Sequence, residues 1–113
     1  MATTFTGVLE GTDTEDTVKI SAQGPATLNV TVRHRGTGNN DLRVRLGSYT
    51  IVVWGQYDDY DVAPGRSVTR SIPFDWDRTG DVSNGIQDFR VRLSRTVLSK
   101  RIPWEVTYWL SPL

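Results

Sequence analysis

Apolar residues recur at every second position through most of this chain, and that spacing restricts it to strands. In Ile102 to Leu110 the even positions Ile102, Trp104, Val106, Tyr108 and Leu110 are apolar, while Glu105 and Thr107 point the other way. Asp88 to Leu93 repeats the pattern, with Phe89, Val91 and Leu93 inward and Arg90 and Arg92 outward. Leu28, Val30 and Val32 alternate with Thr27, Asn29, Thr31 and Arg33, and Leu42, Val44 and Leu46 with Arg43 and Arg45. Val68, Ile72 and Phe74 give a weaker strand, and Val18 with Ile20 a short one. Tyr49 to Trp54 is apolar on both faces, which predicts a strand covered on both sides or packed against a neighbour. No segment carries a capped helical period.

Turn residues separate these runs: Gly11-Thr12-Asp13, Gln23-Gly24-Pro25, Gly36 to Asp41, Pro64-Gly65, Thr79-Gly80-Asp81 and Asn84-Gly85. Seven to eight short strands in 113 residues predict an all-β chain, a single antiparallel β-sandwich or jelly roll occupying residues 1–113. A chain of this length builds one core. Without cysteine it has no disulfide framework, thiol nucleophile or thiolate metal site. No signal peptide is visible after Met1, and Ile51 to Trp54, the longest apolar run, is far below spanning length. The expected location is a virion or the cytoplasm of the producing cell, with secretion only if a leader has been removed.

Several stretches resemble the bacterial pre-peptidase C-terminal (PPC-like) β-sandwich. They are Phe5-Thr6-Gly7-Val8-Leu9, Gly11-Thr12-Asp13, Val18-Lys19-Ile20-Ser21, Gly24-Pro25-Ala26-Thr27-Leu28-Asn29-Val30, Asn40-Asp41-Leu42-Arg43-Val44-Arg45-Leu46, Gln87 to Leu93 and Trp104 to Leu110. Together they cover about two-thirds of the chain, while Gln56 to Asn84 has no counterpart. The resemblance implies a non-catalytic accessory module that binds or spaces, and names no substrate.

Residues able to do chemistry are few. His34 is the sole imidazole, continues the inward row of Leu28, Val30 and Val32, and reads as structural. No serine sits in a nucleophile elbow, and no phosphate-binding glycine loop is present. Asp58-Asp59-Tyr60-Asp61 and Asp75-Trp76-Asp77 hold enough carboxylates for a glycosidase pair, but a small sandwich has little material for the cleft such a pair needs. The chain therefore reads as a non-enzyme. No cofactor is expected, with calcium as the one candidate: Asp75, Asp77, Thr79 and Asp81 stand at alternating loop positions around Gly80. Ile86 occupies the place of the closing bidentate carboxylate, and Arg78 adds an unfavourable cation. The same residues also suit an ordinary polar turn.

The arginines are the most pointed feature. Arg33, Arg43, Arg45, Arg90 and Arg92 take outward positions on three strands, with Arg35 and Arg95 near the margin, and would form a basic face if those strands share a sheet. Net charge is zero overall, yet residues 32–46 sum to +3 and 90–113 to +4, offset by acidic segments elsewhere. An acidic protein surface suits such a face better than nucleic acid, because no stacking aromatics interleave with the arginines. Trp54, Tyr57, Tyr60, Trp76 and Trp109 form a competing set, on or near loops, able to stack on sugar rings or anchor an interface. Two functions follow. The first is a structural module docking on a larger protein assembly or on copies of itself, such as a phage capsid decoration or tail protein. The second is a carbohydrate-binding or PPC-like accessory module. Neither needs a membrane.

Overall fold

A computed structural model describes residues 2–50, 53–74, 86–95 and 101–113. Eight strands follow one another: β1 (Thr3–Leu9), β2 (Glu15–Gln23), β3 (Ala26–His34), β4 (Leu42–Thr50), β5 (Val53–Val62), β6 (Ser67–Phe74), β7 (Ile86–Arg95) and β8 (Ile102–Ser111). All pairings are antiparallel, in a first sheet of order β1-β8-β3-β6 and a second of order β2-β7-β4-β5. The expected sandwich is thus the observed one. Among the described residues no helix is long and apolar enough to cross a membrane.

The alternation sorts side chains between the sheets and the two outer faces. Leu28, Val30 and Val32 from β3, Ile102, Trp104 and Val106 from β8, Leu42, Val44 and Leu46 from β4, and Phe89, Val91 and Leu93 from β7 are all buried. Burying these side chains from both inner faces is the main favourable contribution to the fold. Phe74 meets Phe89 edge-on across the core, ring centroids 5.1 Å apart.

Two expectations change. Tyr49 to Trp54 is not one strand: β4 ends at Thr50 and β5 begins at Val53, with Tyr49 pairing Trp54 and Thr50 pairing Val53. Between Thr50 and Val53 the sequence has Ile51 and Val52, with no glycine, proline or asparagine to mark a break between strands. The acidic stretch after Gln56 is likewise strand β5 and not loop. As the edge of the second sheet it needs only one apolar row, and the Leu46/Gly47 register shift interrupts its alternation.

At the side where β5 meets β6, a polar clasp joins the sheets. Arg70 Nε donates to Asp58 Oδ2 at 2.6 Å, and the guanidinium lies 4.6 Å above the Tyr60 ring. At the other side Trp104 Nε1 donates to Asp16 Oδ2 at 2.9 Å, tying β8 of the first sheet to β2 of the second.

Candidate functional site

Four of the five arginines expected to form a basic face occupy neighbouring strands of the second sheet: Arg43 and Arg45 on β4, Arg90 and Arg92 on β7. Arg33 does not join them. It lies on β3 in the first sheet, and because the chain crosses between sheets from β3 to β4, outward residues of those two strands face opposite sides of the sandwich. On the first sheet Arg33 stands in register between Glu105 and Ser67.

Cross-strand register places acids among the remaining four. One row reads Glu15, Ser94, Arg43, Asp61; the next reads Thr17, Arg92, Arg45, Asp59. Arg43 donates to Asp59 Oδ2 at 2.6 Å and to Asp61 Oδ1 at 3.3 Å, and these bonds hold its guanidinium above its ordinary pKa. Arg90 binds Asp88 bidentately at 2.9 and 2.8 Å. Those hydrogen bonds first, and the charges of Arg90 and Lys19 after them, hold the Asp88 carboxyl below the usual range. Arg92 lies 3.8 Å from Glu15 and stacks 4.5 Å over the Trp54 ring. Among the described residues Arg45 forms no salt bridge. The face is therefore a mosaic of opposite charges, and an acidic partner would compete with carboxylates already in place. Such exposed pairs contribute little stability singly, about 0–1 kcal/mol.

The aromatic candidates do not share a platform. Trp54 lies on the outer face of the second sheet, its indole over Gly47, where a Cβ would come within 2.7 Å of the ring. Arg92 covers that ring as well. Tyr57 and Tyr60 stand at the β5 margin: Tyr57 is 49% exposed and accepts a hydrogen bond from Ser48, whereas Tyr60 packs against the core beneath Arg70. Trp109 is half-buried on the opposite sheet, in register with Asn29, whose amide donates to its carbonyl at 3.3 Å. Trp76 and the calcium candidates Asp75, Asp77, Thr79 and Asp81 lie outside the described residues.

His34 is 1% exposed and has both ring nitrogens engaged. Nδ1 accepts from the Gly36 amide at 2.9 Å, so Nε2 carries the proton and donates to the Asn40 carbonyl at 2.8 Å. The imidazole thereby shapes the β3–β4 connection, as its inward phase predicts. Arg95 leaves the margin of the basic face altogether. It is 6% exposed, and its fork donates to the carbonyls of Leu9, Gly11 and Asp13. Its phase with Leu93 and Val91 was the available signal, outweighed by its charge.

Sequence reading gives no sign of a hollow of about 330 Å³ beside β1, lined by Thr6, Gly7, Val8, Arg35, Arg101, Pro103 and Trp104. Its residues come from β1, β8 and the segments flanking β3 and β8. Arg101 on its rim faces Glu10 at 3.4 Å. The lining combines hydrogen-bond donors with apolar surface.

No family model matches this chain, and no curated protein is similar to it in sequence.

Proposed function

We propose that this protein is a non-catalytic structural module that docks on a larger protein assembly, in the manner of a phage capsid decoration or tail protein. The outer face of the first sheet is the observation that supports this reading. Thr4, Thr107, Thr31 and Thr69 stand side by side across all four of its strands. Thr4 and Thr107 share a hydrogen bond of 3.0 Å, and Thr31 and Thr69 one of 2.8 Å. In the adjoining row Asn29 receives a bond from Ser71 at 2.7 Å and donates to Ser111 at 3.0 Å. Hydroxyls and amides bonded to one another cost less to cover than free charges, and a four-stranded surface of them suits broad protein contact.

A glycan array on the pure chain, paired with light scattering, tests this. Association with itself or with a protein particle, and no glycan bound, is the expected result. A chain that stays monomeric and binds a defined glycan would overturn the proposal in favour of an accessory module. The scatter of Trp54, Tyr57, Tyr60 and Trp109 over three sides of the sandwich speaks against that alternative.

A further inference from the structure

Four strands end the two sheets, and three of them carry features that discourage a further strand. β2 has Glu15, Asp16 and Lys19. β5 has Asp58, Asp59 and Asp61, and a register shift interrupts its pairing. β6 has Pro73, which cannot donate to a ladder, and Arg70, a charge turned inward at the edge. β1 differs. Thr3-Thr4-Phe5-Thr6-Gly7-Val8-Leu9 holds no charge and no proline, and it pairs with β8 in unbroken register. Among the described residues no strand pairs with its other side.

We infer that β1 pairs with β1 of a second copy of this chain, antiparallel about a two-fold axis at Thr6. This rests on the docking reading above and names the partner and the strand. In this register all seven residues find partners, each on its own face of the sheet: Thr6 with Thr6, Thr4 with Val8, Phe5 with Gly7 and Thr3 with Leu9. No like charges meet, a condition an isologous contact has to satisfy because every residue near the axis faces itself or a close neighbour. The Phe5–Gly7 pairing sets no two β1 side chains against each other on the inner face. Gly7 is held as glycine by its own protomer, since a Cβ there would collide with the Trp104 indole. The opposing Phe5, stacked on Tyr108 with ring centroids 6.1 Å apart, thus faces a strand position without a Cβ, over which the Trp104 indole lies as an apolar neighbour.

The resulting eight-stranded sheet runs from β6 of one copy to β6 of the other. Pro73 and the Arg70–Asp58 clasp stand at both ends, so pairing closes at the dimer. A contact seven residues long belongs to the small, concentration-dependent class of interface.

The test is light scattering after size exclusion, from about 10 μM to about 1 mM, where small interfaces associate. The native chain should move from monomer to dimer across that range and no further. Thr6→Lys and Thr6→Glu, both at an exposed position, should each weaken association at least about tenfold, because the introduced charges face their own kind across the axis. An equimolar mixture of the two variants should recover a dimer, which neither a folding defect nor contact through another surface would produce. Circular dichroism should show that both variants keep the native fold. A native chain monomeric throughout, a dimer indifferent to Thr6→Lys, or a mixture that stays monomeric overturns the β1 pairing. The docking reading would survive those results and fall only on glycan binding by the monomer.

Discussion

Replacing Arg95 with leucine should cut the chain's stability by about 2–3 kcal/mol. The side chain is 6% exposed and, among the described residues, its fork serves three backbone carbonyls: Asp13 through Nε at 3.0 Å and Nη2 at 2.8 Å, Gly11 through Nη2 at 2.8 Å, and Leu9 through Nη1 at 3.4 Å. Charge-assisted hydrogen bonds contribute about 1.5–3 kcal/mol each, and losing two well-formed acceptor contacts sets the upper part of the range. Two effects reduce it. Gly11 and Asp13 are exposed residues, so water can reach their carbonyls once the guanidinium is gone, and leucine leaves no uncompensated charge behind. A loss of this size corresponds to a melting temperature lower by about 10–15 °C in a domain this small. Urea unfolding measures the free energy, and amide exchange at Asp13, whose N–H bonds the Glu10 carbonyl at 3.0 Å, reports whether the β1–β2 turn loosens first. Arg95→Lys keeps the charge and loses the fork, so it should recover less than half of the deficit. A deficit below about 0.5 kcal/mol for Arg95→Leu, or unchanged exchange at Asp13, would refute the assignment of this arginine as the anchor of the turn.

Three further outcomes are expected. Burial pushes the Tyr60 phenol up to about 12, and its hydroxyl has no hydrogen-bond partner among the described residues. The folded state therefore favours the neutral form, and the associated stability is intact below pH of about 10 and lost as pH rises towards about 12. Absorbance titration should show a transition near 12 that Tyr60→Phe removes, and a native titration complete by a pH of about 11 would contradict this. Asp88 is held low by Arg90, so its contribution is present above the ordinary carboxylate pKa and disappears as pH falls through its folded value. With the side chain 44% exposed, that contribution is below about 1 kcal/mol, and an NMR titration with an ordinary midpoint would remove it. His34→Leu leaves the Gly36 amide and Asn40 carbonyl unpaired, for a loss of about 2 kcal/mol in urea unfolding; stability equal to that of the native chain would show the two bonds to be idle.

Legibility in the sequence follows burial. Where one face of a strand is wholly buried, as in β3, β7 and β8, the alternation is nearly clean and identifies both the strand and its inward row. β5 escaped because an edge strand needs few apolar residues, and Asp58, Asp59 and Asp61 resemble a loop until Arg43 and Arg70 are seen to hold them. The arginine face was read by phase alone, and phase says which side of its own sheet a residue faces without saying which sheet that is. Arg33 therefore separated from Arg43, Arg45, Arg90 and Arg92 once the topology was known. Acids on β5 and β2 that neutralise that face are distant in sequence, so only the cross-strand register reveals them. His34 was legible because its phase and its chemistry agree, and Arg95 was not because they conflict.

The placement of β1 beside β8 has a mechanical consequence. The strands are antiparallel, and Thr3 stands opposite Tyr108, so the start of the first strand and the far part of the last lie at the same end of the sheet. A load pulling these two points apart acts across the ladder, opening its hydrogen bonds one after another as a zipper opens. Loading along the strands would make the same bonds resist together. Tension applied through those points would peel β1 away at low force while β8 stays paired with β3, which gives the sandwich a weak link at the strand inferred to carry its partner.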